Sequence, residues 1–202
     1  MRALPDIMAG LALLMLLLTV ALLSQRSVRV GVRLITAQSA ALALATALLA
    51  LAANNWPLFL FAVLMLIAKT LVLPIFLRRE ALLTPDQPGA ILPLMLASGA
   101  LVALAWLATP SLPGGGTITI PGLHREIIAP VLGILLVGLM PSLISRPPLA
   151  RLLGLLAAEN GLMLLAIHLP GPIRVFMIQL ATFSLVGALL AGLRAQIGTR
   201  AP

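Results

Sequence analysis

The stretch LLGLLAAENGLMLLAIHL, residues 152–169, decides how the rest of the chain is read. Its length and apolar character suit a helix that crosses a bilayer, which needs about 20 such residues. Glu159 stands near its middle, and a carboxylate halfway through a bilayer costs roughly 3 kcal/mol on insertion scales. A group kept at that cost points to a partner or a task, and the remaining sequence has to supply it.

Of 202 residues, 61% are hydrophobic and only 9% charged, with a mean hydropathy of +1.17. Soluble domains carry roughly 25% charged residues, so the composition is that of an integral membrane protein. The net charge of +8 is not a nucleic-acid signature, because the basic residues sit singly or in pairs between apolar runs. Cysteine is absent and the two histidines are far apart, which leaves the chain no thiolate, iron–sulfur, haem or zinc ligand set of its own. Any redox centre that it serves belongs to another subunit.

Working outward from residues 152–169, apolar runs predict seven spans: 7–24, 30–53, 57–77, 90–108, 127–145, 150–169 and 174–194. The first is longer than a usual signal core, follows Asp6 and lacks an A-x-A site, so it reads as a retained helix. Asn55 is placed to cap the third span, with Pro57 in its first turn and Trp56 at interface depth. Pro88-Gly89, Pro110, Pro147-Pro148 and Pro170-Gly171-Pro172 mark other breaks. The fold class expected is therefore all-α, a single membrane domain over 1–202.

Arginine sets the sidedness. The loops after spans one, three and five hold Arg26, Arg29, Arg78, Arg79, Arg146 and Arg151, and the C-terminus adds Arg194 and Arg200. Arg33 can snorkel to the same side from the start of span two, whereas the other side has Arg2, Arg125 and Arg174. The positive-inside rule then puts the N-terminus outside and the C-terminus in the cytoplasm, for a multi-pass protein of the cell inner (plasma) membrane.

Two charged side chains fall deep within spans, Glu159 and Lys69. Lys69 lies nine residues before Arg78, and Glu159 eight after Arg151. At 1.5 Å per residue both sit roughly 12–14 Å in from the cytoplasmic face, so they can meet if spans three and six are neighbours. Pro74 has no N–H for the carbonyl of Thr70, which predicts a kink and a freed acceptor beside Lys69. Intramembrane ionisable groups mark proton and ion pathways by default. Glu159, Lys69 and His168 are therefore the candidate proton-relay residues. The competing reading makes Glu159 and Lys69 a structural ion pair and His168 a solvated interfacial imidazole. Gln38, Thr70, Gln179 and Thr182 are the polar support; interhelical hydrogen bonding accounts for such residues as well.

Gly154, Ala158 and Gly161 form a small-residue stripe on span six, from which Glu159 is displaced; Ser184, Ala188, Ala191 and Ala195 form another on span seven. One carboxylate more than about 10 Å from either surface cannot complete a path across the bilayer. The inference is a subunit whose buried charges join a longer row in its neighbours.

Three segments, RSVRVGVRLITAQSAAL (26–42), AKTLVLPIFLRR (68–79) and SRPPLARLLGLLAAENGLML (145–164), resemble the component E subunit of hydrogenase-4. An intramembrane Lys with Pro five positions on, and Glu-Asn-Gly after a basic loop, carry the match. The resemblance implies helices one to four over 7–108, followed over 127–194 by a unit similar to the small three-helix membrane subunit of complex I. Glu159 would stand where those relatives carry a relay glutamate. It implies antiporter-like partner subunits and nickel–iron and iron–sulfur centres in other chains, with no cofactor in this one. The last span departs from the pattern: QLATFSLVG (179–187) has no carboxylate where relatives carry one, so Gln179 and Thr182 can hydrogen-bond water there but cannot titrate. Arg146-Pro147-Pro148 likewise lacks the relatives' Arg-Asn pair.

The function expected is thus a non-redox subunit that contributes to a central polar axis for proton transfer. Alternatives are a scaffold bridging antiporter-like subunits, a subunit of a multisubunit sodium/proton antiporter, and a stand-alone solute transporter. Missing repeats and binding groups speak against the last.

Overall fold

The computed structural model describes residues 3–25, 27–83, 91–109, 125–144 and 148–169. Its elements are all helical: α1 (Ala3–Ser24), α2 (Val28–Ala52), α3 (Trp56–Leu66), a π-helical segment (Ile67–Val72), α4 (Leu73–Leu83), α5 (Ile91–Ala108), α6 (Arg125–Ile144) and α7 (Pro148–Ala166). Five stretches are long and apolar enough to cross a membrane: α1, α2, the run Trp56–Arg78 from α3 into α4, α6 and α7. The fourth expected span appears as a shorter apolar helix over Pro93–Ala108. The chain is a multi-pass membrane protein. The seventh expected span, the loop 110–124 and the small-residue stripe beyond Ser184 lie outside the described residues.

Between α2 and α3 the chain turns at Asn54, whose φ of 49° is one that asparagine tolerates better than most residues. The next residue does the capping. Asn55 accepts a hydrogen bond from the Leu58 N–H at 3.1 Å, and Pro57 sits in the first turn, where its missing N–H costs nothing.

Pro74 predicts a kink, and one turn before it the chain widens. The Leu73 N–H reaches the carbonyl of Ala68, five residues back, and Ile67–Val72 form π-helix. This turn also keeps one face inward. Met65, Lys69, Leu73, Leu77 and Ala81 are all buried, yet steps of four in an uninterrupted α-helix would wind that stripe about 160° round the axis. The extra residue in the wide turn takes back a large part of that rotation.

Packing divides the interior into two apolar clusters. One joins Met8, Ala12, Met15, Leu42, Met65, Ile134, Met163 and Leu164. The other joins Leu22, Val32, Ile35, Leu73, Leu77, Leu153 and Leu156. On each helix that contributes to both, a polar residue lies between the two. It is Thr19 on α1, Gln38 and Ser39 on α2, Lys69 in the π segment, and Glu159 and Asn160 on α7, all of them buried. A single polar layer is therefore sandwiched between apolar ones.

Candidate functional site: a buried polar layer across four helices

Residue spacing on α7 separates its packing face from its polar face. At 100° per residue Gly154, Ala158 and Gly161 fall within about 60° of one another, and Glu159 and Asn160 straddle the opposite side. The small residues meet α6. A Cβ added at Gly154 would lie 2.7 Å from the Gly138 carbonyl oxygen, and one at Gly161 would lie 2.8 Å from Ile134. Glu159 and Asn160 are thereby turned towards α2 and the π segment.

Lys69 is the hub. Its ammonium donates to Glu159 Oε1 at 2.7 Å and to Asn160 Oδ1 at 2.8 Å. Lys69 is 2% exposed and Glu159 6%, so this is an ion pair removed from solvent. Removing one partner of such a pair is costly because the other charge is left uncompensated. Asn160 Nδ2 donates in turn to Gln38 Oε1 and Ser39 Oγ, each at 3.1 Å. Gln38 Nε2 donates to Thr19 Oγ1 at 2.8 Å and, more weakly, to the Met15 carbonyl at 3.4 Å. The Thr19 hydroxyl ends the chain on the Met15 carbonyl at 2.8 Å.

The lysine fixes the sense of every bond. An ammonium only donates, so Asn160 must offer it oxygen; its NH₂ then faces α2, Gln38 must offer oxygen back, and the Gln38 NH₂ is left for Thr19. Hydrogen bonds therefore run one way, from Lys69 to α1. The chemical consequence is a polarity of function along the layer. Carboxamides neither take up nor release a proton near neutral pH, so Asn160 and Gln38 close the layer towards α1. Glu159 and Lys69, at the other end, are the groups able to exchange protons. Removing one link should expose this dependence. Gln38→Leu leaves an Asn160 N–H without its acceptor, and thermal unfolding of the purified chain should register a loss of about 1–3 kcal/mol.

Of the expected residues, the structure brings together Lys69, Glu159 and Gln38, and Ser39 joins them without having been singled out. Thr70 does not join them: its hydroxyl donates to the Leu66 carbonyl of its own helix, because one residue beyond Lys69 it is turned by about 100°. His168 lies at the end of α7 with Nδ1 2.8 Å from the Leu164 carbonyl, about 13 Å along the helix from Glu159. Gln179 and Thr182 lie outside the described residues. Sequence reasoning missed Asn160 and Thr19 as members. Their depths match that of Lys69, since Asn160 is nine residues from Arg151 and Thr19 seven from Arg26, but depth alone does not say which helices are neighbours. Among the described residues no cluster of three or more His, Asp or Glu side chains is placed to hold a metal ion. Comparisons of the chain with models of protein families, with curated proteins and with solved structures give no match.

Proposed function

We propose that this chain is a non-redox membrane subunit of a hydrogenase-like or complex-I-like assembly, in which Glu159 and Lys69 take part in proton transfer within the plane of the inner membrane. The observation that carries the reading is the buried layer itself. Apolar clusters lie on both sides of it along the helices, so its polar groups extend laterally, and a lateral row is what a central axis shared between subunits requires. The resemblance of residues 26–42, 68–79 and 145–164 to hydrogenase-4 component E supports the same assignment. So does the arginine distribution, which favours seven spans with the N-terminus outside and the C-terminus cytoplasmic. Antiporter-like subunits are the partners, and the nickel–iron and iron–sulfur centres belong to other chains of the assembly.

A second reading is favoured by one specific feature. Lys69 and Glu159 pair within this chain, as they would in a scaffold that only holds antiporter-like subunits together. Glu159→Gln separates the two, since the amide oxygen still accepts from Lys69 while the proton-exchanging group is gone. The variant strands the Lys69 ammonium and so loses stability, but in vesicles carrying the variant that has assembled, redox-driven proton movement per complex should fall by about 100-fold. Normal pumping by the assembled variant would leave the scaffold reading standing, and purification of the chain without large partners would overturn both.

A further inference from the structure

We infer that the structure holds a second site, a cleft at the arginine-rich end of α2 and α4 that binds the phosphate of an anionic phospholipid headgroup. Arg29, Arg33 and Arg78 line one cleft of about 360 Å³, with Val32 and Ala81 beside them among the described residues. Arg29 and Arg33 are four apart on α2, so their guanidinium groups leave the same face one turn from each other. Arg78 reaches the cleft from α4, which packs against α2. None of the three makes an ion pair or hydrogen bond with a described residue. Three like charges around one space, with no counter-charge among the described residues, repel one another, and an anion seated between them relieves that repulsion. Guanidinium forks match phosphate oxygens in geometry as well as charge.

The surroundings choose the lipid over free phosphate. Leu71, Ile75 and Arg78 follow one another at spacings of four and three, one face of a helix, and Leu71 and Ile75 are 60% and 67% exposed. On α2 the exposed Leu44 falls on the same face as Arg29 and Arg33. An apolar stripe thus runs from mid-membrane up to the charged cleft on the α4 wall, and on the α2 wall Leu44 continues the face of the two arginines deeper into the membrane. They offer acyl chains a path on the helices whose ends hold the headgroup, and basic pockets between membrane helices suit this use. Inorganic phosphate would gain nothing from these apolar residues.

The test uses the full chain in nanodiscs of phosphatidylcholine, titrated with phosphatidylglycerol and, in a separate arm, with inorganic phosphate, with bound lipid read by native mass spectrometry. The expected result is preferential retention of phosphatidylglycerol. Each guanidinium contributes about five-fold, so the triple variant Arg29→Gln, Arg33→Gln, Arg78→Gln should lose about 100-fold. The matching triple lysine variant controls for folding; it keeps the charge without the fork and should bind between the native chain and the glutamine variant. Equal retention by the glutamine variant would overturn the site. Inorganic phosphate displacing the lipid at matched concentration would overturn the assignment to lipid.

Discussion

Lys69→Met is expected to be the most damaging single substitution in the chain. Methionine has nearly the length of lysine, so the cavity effect is small and the loss is electrostatic. The change removes both bonds of the ammonium at once, the 2.7 Å contact to Glu159 and the 2.8 Å contact to Asn160. Stranding one member of a buried pair costs about 3–5 kcal/mol, a large share of the stability of any single domain. Adding Glu159→Gln to Lys69→Met should recover more than half of this, because no formal charge then remains stranded and the new amide at position 159 can donate to Asn160 Oδ1. Thermal unfolding in detergent of the two single variants and the double completes a cycle that isolates the pair. Proton movement should not recover with stability. A double variant that is stable and still pumps would remove Glu159 and Lys69 from the path. A double no more stable than Lys69→Met would mean that Lys69 is not what balances the carboxylate.

How much of this was legible in the sequence follows from what a linear count can measure. Depth is countable. Nine residues from Lys69 to Arg78 and eight from Arg151 to Glu159 fix how far each sits from a basic helix end, and the two do meet. Azimuth on one helix is countable too, which is why the stripe Gly154, Ala158, Gly161 was separable from Glu159. The arrangement of helices around the bundle is not, and Thr19 and Asn160 show the cost. Each is an ordinary polar residue in an apolar run until α1, α2 and α7 are known to be neighbours. Thr70 failed for the opposite reason: its depth matched, but its direction did not. Pro74 announced a missing backbone hydrogen bond without saying how the helix would absorb it. A π turn lies just before Pro74, and that wide turn helps to keep Leu73 and Leu77 in the interior with Lys69.

The close contact of α6 and α7 should be the next most sensitive feature after the ion pair, and for a purely steric reason. At Gly138 a Cβ would lie 2.8 Å from the backbone nitrogen of Ala158, and at Gly154 one would lie 2.7 Å from the Gly138 carbonyl oxygen and 2.9 Å from Pro141. Two of these obstacles are backbone atoms, which cannot turn aside as a side-chain end can. Gly154→Ala gains about 0.5–1 kcal/mol from the better helix former against an overpacking cost of about 3 kcal/mol, a net loss of about 2. Gly138→Ala should behave alike. Gly10→Ala and Gly99→Ala, with nothing within 4 Å of the added carbon, should be neutral or slightly stabilising, and they calibrate the measurement. The functional effect should exceed the loss of stability. Ala158 precedes Glu159, so any withdrawal of α7 from α6 displaces the carboxylate from Lys69, and proton movement should fall in the Gly138 and Gly154 variants that still assemble. Unfolding temperatures for those two no lower than for Gly99→Ala would show that the helices can separate without cost, and the polar layer would then lack the rigid wall that holds Glu159 against its lysine.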